Sequence, residues 1–302
     1  MRAFLDDVSI VYAMNPDDKI RELLHDMWPP LLYEIADPPK RLYIHGELPD
    51  PTTKFLSVVG SRKCSAYAKN VCERLVSGLA GYPICIVSGL ALGIDGIAHE
   101  TALSVGLPTI AVPGSGLDER VLYPRMHLAL SRNILRAHGA LISEFEPMQK
   151  AADWSFPQRN RIMAGMSHAV LIIEAGEKSG TLITARLGME YGRRVLIVPS
   201  PLFSHYGEGS NKLVREGAEM VTCVEDILEA LDIEPRTSVE KEIPLNVSDD
   251  ERTILELLTE PLQKDELIAR SGMPAHTVLI LISSLEIKEM VVERLGKIER
   301  MR

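Results

Sequence analysis

Short apolar runs alternate with amphipathic stretches through most of the chain. LSVVG (56–60), ICIVSG (84–89), PTIAVPG (108–114), GALISEF (139–145), HAVLIIEA (168–175) and RRVLIVPSP (193–201) are rich in valine and isoleucine. Most lack the polar alternation of a half-buried strand, so they read as strands covered on both faces. The segments between them carry helical spacing. Strand and helix in turn predict an α/β fold, a doubly wound and mostly parallel sheet with helices on both sides. A last unit, AEMVTCV followed by EDILEAL, closes it near residue 231.

The flanks differ. DDKIRELLHDMW reads as a short helix, with the prolines at 29–30 and 38–39 marking its exit. Residues 1–35 are therefore expected to be a short N-terminal helical segment, and 36–231 the sheet domain. DIEPRTSVEKEIPLNVS (232–248) has no sustained apolar period and reads as a linker. Residues 249–302 show three helical patterns followed by a two-strand ribbon, the arrangement of a winged helix. Ile254, Leu257, Leu258, Leu267, Ile268, Val278, Ile282 and Leu285 supply its small core.

With 46% hydrophobic and 25% charged residues, the composition is that of an ordinary globular protein. No run of about 18 apolar residues predicts a membrane span. The N-terminus lacks a signal pattern. Cys64, Cys72, Cys85 and Cys223 form no C-x-x-C pair, so neither a zinc site nor a disulfide framework is indicated and a reduced, cytoplasmic protein is expected.

The net charge of -9 is unevenly spread. Residues 1–53 hold 5 Lys+Arg against 10 Asp+Glu, residues 54–200 hold 16 against 11, and residues 201–302 hold 12 against 21. The sheet region is thus basic between acidic ends. Long-range steering of a polyanion would be weak, and an anion site must act by local focusing.

Ligands of open parallel sheets gather beyond the carboxyl ends of the strands. Those ends lead here into Gly60-Ser61-Arg62-Lys63, Ser88 to Asp95, Pro113 to Gly116, Glu174 to Thr181, and Gly207 to Asn211. Glycine admits close backbone approach, and helix N-termini present amides to anions, so several such loops on one rim point to a phosphate-rich ligand. G-x-G-x-x-G is absent after the first strand, where Arg62 and Lys63 stand instead, and no P-loop occurs. Amides plus arginines without a Walker lysine suit phosphodiester binding better than ATP hydrolysis.

VVGSRKCSAYA, SGLALGIDGIAHETAL, PGSGLDERVLYP, GALISEFEP, FPQRNRIMAGMSHAVLIIEA, SGTLITARLGMEYGRRVLIVP and GSNKLVREGAEMV occur in this order over about residues 29–231. Together they resemble the bacterial DNA-processing protein A (DprA/Smf) family. The resemblance implies an extended Rossmann-like fold that dimerises, binds single-stranded DNA, protects incoming DNA and loads RecA during natural transformation. It implies no catalysis and no cofactor. Carried onto this sequence, Arg62 in the G-[ST]-R turn and Arg159 and Arg161 in F-P-x-R-N-R line an electropositive pocket. Ser61, Lys63, Ser179 and Gly180 contribute from the loops, and Lys212 from beside G-x-N. Arginine forks grip phosphate bidentately, and Asn160 offers a donor and an acceptor. The family's frequent N-terminal helical module has no full counterpart in residues 1–35, and the winged helix resembles the appendage of part of the family.

Several residues carry two readings. Phe156 either stacks on a base or packs in the core. Arg161 either faces the ligand or pairs with Glu174, whereas Arg159 has no obvious partner. Asp95, His99 and Glu100 fall on one helix start and Asp95 shares a face with His99 at i,i+4, but without a third ligand on that face a cap is the better reading of Asp95 than a metal site. SGLALG is no nucleophile elbow around Ser88, and Tyr123, Arg125 and His127 are assigned only a structural role. In the winged helix the third helix offers only His276 and Lys288 as cations, and residues 249–302 hold 8 Lys+Arg against 11 Asp+Glu. Affinity for duplex depends on neutralising phosphates, so protein contact or regulation is the expected role. The competing enzyme reading is a nucleotide phosphoribohydrolase, whose P-G-G-x-G-T-x-x-E motif PGSGLDER and EAGEKSGTLITA each match only in part. A nucleotide sensor with the winged helix as output is the third. EDILEAL and the strand before it are candidates for self-association or plain core.

Overall fold

The computed structural model describes residues 19–177, 179–201, 204, 207–236, 247–258, 261–288, 290–294 and 296–300. The chain divides into two compact units, residues 1–235 and 236–302.

The first unit runs β1 (Arg21–Glu22), β2 (Tyr43–Gly46), β3 (Lys54–Val59), α1 (Ala66–Gly78), β4 (Ile84–Ser88), α2 (Ile94–Ser104), β5 (Thr109–Ala111) and α3 (Leu128–Arg136). It continues through β6 (Ala140–Ser143), α4 (Ser155–Met166), β7 (Ala169–Ile172), α5 (Thr181–Glu190), β8 (Arg194–Ile197), α6 (Glu208–Arg215), β9 (Glu219–Met220) and α7 (Val224–Ala230). Among the described residues its strands form one sheet in the order β1-β2-β6-β5-β4-β3-β7-β8-β9. From β6 to β9 every pairing is parallel; β2 and β1 add an antiparallel edge.

The chain builds outward from β3 to β6, then returns to lay β7 against the other side of β3. Helices after β3 and after β7 therefore leave in different directions, and their loops splay apart. This is a topological switch point, where open α/β sheets bind ligands.

The period of two along each strand divides the core. Phe55 and Val59 of β3, with Val170 and Ile172 of β7, face Ile162, Met163 and Ala185 of α4 and α5. Leu56 and Val58, with Ile84, Ile86 and Leu171, face Cys72, Val76, Ile94 and Ala98 of α1 and α2. Both faces are buried, as the apolar runs required.

The helix expected across 17–28 does not form in its described part, which holds β1 and a single 3-10 turn, His25–Met27. Leu23 N donates to Leu42 O at 2.7 Å, and the buried Trp28 indole donates to Leu23 O at 2.9 Å. The apolar side chains Leu23, Trp28, Leu32 and Ile35 are drawn into the sheet's own core rather than onto a separate segment. The antiparallel strand β2 was not read from the sequence, because its short apolar stretch lies among prolines.

The second unit contains α8 (Asp249–Leu257), β10 (Leu262–Gln263), α9 (Lys264–Ser271), α10 (Ala275–Ile287), β11 (Val291–Arg294) and β12 (Lys297–Arg300). Its sheet has the order β10-β12-β11, so a third strand joins the expected ribbon. Most of the linker expected at 232–248 lies outside the described residues. Ile254, Leu258, Leu267, Val278, Ile282 and Leu285 form the core. No single helix among the described residues is long and apolar enough to cross a membrane.

Glu251 ties this unit together. It caps the N-terminus of α8 by accepting from Ser248 N at 2.8 Å, accepts from Ser284 Oγ at 2.6 Å, and pairs with Lys288 Nζ at 2.7 Å. The Lys288 ammonium, then Ser284 and the Ser248 amide, hold its carboxyl down to about 2, against 4.5 ordinarily. A depressed acid stabilises the fold fully above its unfolded pKa and ceases to as pH falls through the folded one. The thermal stability of the second unit is therefore expected to fall from about pH 4.5 towards pH 2. Glu251→Gln should flatten that slope; an unchanged slope would show that the cluster contributes nothing.

Candidate functional site

A cavity of about 510 Å3 opens at the switch point. The turn after β3 gives it Ser61, Arg62 and Lys63, the loop after β7 gives Gly176, Ser179 and Gly180, and α4 gives Phe156, Arg159 and Asn160. Thr181 and Thr184 of the first turn of α5 complete one wall, so a helix N-terminus borders the space.

Local chemistry shapes these loops. Ser61 Oγ donates to Lys63 O at 2.9 Å and accepts from Lys63 N at 3.2 Å, which folds the turn tightly. Gly93, at φ +79°, lets the start of α2 press against it: a Cβ there would stand 2.3 Å from Ser61 O. Ser65 caps α1, accepting from Ala68 N at 3.1 Å. Glu174, buried at the end of β7, accepts from Ser65 N at 2.9 Å and Ser65 Oγ at 2.6 Å, tying the two splayed loops together. Across the cavity Ser179 Oγ accepts from Thr181 N at 3.2 Å and sets the entry to α5.

Of the arginines that prompted attention, only one is exposed. Arg62 makes no ion pair among the described residues, and its Cζ stands 5.0 Å from the centroid of the half-buried Phe156 ring. Lys63 beside it is exposed and likewise unpaired among the described residues. Arg159 is only 4% exposed and forms the floor. Its Nη1 donates to Gly89 O at 2.6 Å and to Val112 O, and its Nε donates to Asn160 Oδ1 at 3.1 Å. Asp95 lies beneath, accepting from Gly89 N at 3.1 Å and Ala91 N at 3.4 Å. Burial draws the Arg159 guanidinium down to about 10 against the opposing field of Asp95, so it stays charged at neutral pH. Burial also pushes Asp95 up, with Arg159 the chief influence opposing it. Arg159 thus has the surroundings that the sequence hid: two strand-end carbonyls that accept from it, and the field of the Asp95 carboxylate in the first turn of α2.

Arg161 is a correction. It does not line the cavity, and its partner is Glu144 rather than Glu174. Nη1 donates to Asp37 O at 2.6 Å and Nη2 binds the Glu144 carboxylate, while Asp37 Oδ2 lies 3.6 Å from Nε. The reason is helical: two residues along α4 rotate a side chain by about 200°, so Arg159 and Arg161 face opposite ways. Lys212 also stands outside the cavity, exposed on α6. Its neighbour Asn211 turns inward instead, clasping the backbone of Ser200 at 3.1 and 3.3 Å.

Of the five glycine- or serine-rich loops, those after β3 and β7 supply most of the lining, and the β4 loop adds Ala91 and Asp95. The loops at Pro113–Gly116 and Gly207–Asn211 do not border it. The sequence reading placed Thr181 on the rim but overlooked Thr184, Ile183 and Met163; the i,i+3 threonines opening α5 were the available signal.

The remaining clusters are structural. His99 Nδ1 lies 2.7 Å from Thr109 Oγ1, and burial holds its ring down to about 3. Ser88 Oγ donates to Val58 O at 2.6 Å. Among the described residues no group of three or more His, Cys, Asp and Glu could hold a metal. In the second unit Lys288 is engaged by Glu251, so α10 shows solvent Ala275, His276, Leu279, Ile280, Ser283, Glu286 and Ile287. That surface lacks the cations of a duplex-reading helix.

The chain as a whole is similar to known proteins. Residues 19–232 match the family model of DNA recombination-mediator protein A, and residues 239–297 match that of the DprA winged helix domain. Protein Smf of Escherichia coli is 40% identical over 223 residues, 74% of this chain and 59% of that protein, so the match spans less than two thirds of that relative. DNA processing protein A from Streptococcus pneumoniae superposes with a TM-score of 0.66 at 36% identity, covering 72% of this chain and 76% of that one. The protein of the same name from Helicobacter pylori, solved for its single-stranded DNA binding mode, gives 0.63 at 30% identity over 72% and 98%. The match over residues 19–232, carried on a switch-point sheet and followed by the winged helix, places this chain in the DNA recombination-mediator protein A family.

Proposed function

We propose that this chain binds single-stranded DNA in the switch-point cavity and acts as a recombination mediator rather than a catalyst. One observation carries the reading: Arg62 and Lys63 stand exposed, without an ion pair among the described residues, in the cavity that the N-terminus of α5 also lines, and Arg62 lies against the Phe156 ring. Cations and helix amides suit phosphate, and Phe156 suits an unpaired base. The floor is fixed by Arg159 and Asp95, which bond to the protein's own backbone and are spent on shape.

We extend the proposal to the finer roles that the family resemblance suggests: protecting incoming DNA, handing it to RecA during natural transformation, and working as a homodimer in the cytoplasm. Ile227, Leu228 and Ala230 of α7 are consumed in the unit's own core. The edge strand β9, with Met220 half exposed, is what remains of that region for self-association. The winged helix is assigned to protein contact or regulation.

Titration with labelled oligothymidine tests the reading. Single strand should bind more tightly than duplex of equal length or thymidine monophosphate, with a salt slope of about -0.7 per phosphate neutralised. Arg62→Ala should weaken it about tenfold, the cost of one charge-assisted phosphate contact. Tighter binding of duplex would sink the proposal. Release of free base from nucleoside monophosphates would instead support the phosphoribohydrolase alternative.

A further inference from the structure

The site does not end at Phe156. On the far side of that ring lies a cleft of about 30 Å3 bordered by Leu92, Tyr123 and Pro124, and it shares Arg62, Ala91, Phe156 and Arg159 with the larger cavity. Tyr123 is 45% exposed, although Leu122 before it is buried at 2%. Its backbone is anchored, the amide donating to Ser115 Oγ at 3.2 Å. The Tyr123 and Phe156 ring centroids lie 5.6 Å apart at 56°, and Arg62 covers Phe156 at 5.0 Å. Three planar groups therefore adjoin one another, the half-buried Phe156 touching both Arg62 and Tyr123, and those two open to solvent.

We propose that Tyr123 is a second base platform, so that the site takes a strand with adjacent unpaired bases rather than one nucleotide. This rests on the reading of the cavity as a single-strand site and extends it. Arg62 holds a phosphate at the lip while neighbouring bases meet Phe156 and Tyr123. Every base offers a π-face, so the platform is indifferent to sequence. Duplex is refused because its base faces are already stacked. A mononucleotide fills only the inner part and forgoes the outer ring.

The test uses the full chain with two ligands of equal length, oligothymidine and a base-free deoxyribose-phosphate oligomer. Tyr123→Ala should weaken oligothymidine about tenfold, as the loss of one stacked base predicts, and leave the base-free oligomer unchanged. Tyr123→Phe should stay within about twofold of wild type on both, because the ring is kept. Irradiation of an oligonucleotide carrying 5-iodouracil should cross-link it to Tyr123. Equal weakening of both ligands by Tyr123→Ala would overturn the proposal, since the ring would then act by positioning Arg62. No weakening of either would overturn it too. Arg62→Ala is the control and should weaken both; if it alters neither, the single-strand reading fails and takes the platform with it.

Discussion

Arg159→Ala is expected to destabilise the first unit by about 3–5 kcal/mol, since two buried carbonyls lose a donor at about 1–3 kcal/mol each and the Asp95 carboxylate loses the chief cation near it. The guanidinium bridges the carboxyl ends of β4 and β5 through Gly89 O and Val112 O, and it is the chief cation opposing the burial of Asp95. Alanine would leave two carbonyls short of a donor and a carboxylate without its counter-charge. For a unit of this size the loss corresponds to a fall of about 10 °C in Tm. Oligonucleotide affinity should fall with it, because the floor carries the β4 loop and, through α2, the Arg62 turn. Calorimetry of wild type and variant checks this. An unchanged Tm with weakened binding would show that Arg159 contacts DNA directly and is no keystone. The fit is close: a Cβ at Gly89 would stand 2.0 Å from Arg159 Nη1, so glycine there is the space the guanidinium occupies.

Gly180→Asp should do the reverse, leaving the fold intact and abolishing most of the binding. Gly180 borders the cavity at the N-cap of α5, with φ -57°. A Cβ there meets nothing within 4 Å, so no strain opposes the substitution. Aspartate is a favoured N-cap and complements the helix dipole, so Tm should hold or rise slightly. The same carboxylate would repel a phosphate and compete for the amides that receive it. At moderate salt the expected loss in oligothymidine affinity exceeds about tenfold, equivalent to about 1.4 kcal/mol. Anisotropy alongside a melt separates the two effects. Full affinity in the well-folded variant would remove α5 from the site.

What could be read from the sequence follows from what the periodicities record. Apolar runs at β3, β4 and β7 announced strands buried on both faces, because covering both faces leaves no polar alternation to misread. Residues 21–28 misled, since their apolar spacing fits a helix in isolation while Leu23 and Trp28 are claimed by a distant core. Arg62 was legible because a glycine turn after a buried strand must sit on the binding rim. Arg159 and Arg161 were legible as a pair but not in direction. Their opposite fates require knowing that FPQRNRIMAG is helical, and that Glu144 and Asp37 come near from other parts of the chain. Lys212 failed for the same reason, since its neighbour Asn211 is the residue that turns inward. Tyr123 was read only as structural, because its place beside Phe156 joins two segments far apart in sequence.

The most direct test follows oligothymidine affinity across a range of salt for wild type and Arg62→Ala. If the exposed lip grips phosphate, the variant should bind about tenfold more weakly at low salt, with its slope shallower by about 0.7 and its Tm unchanged. Two lines that superimpose, in affinity and in slope, would place the DNA somewhere else on the molecule.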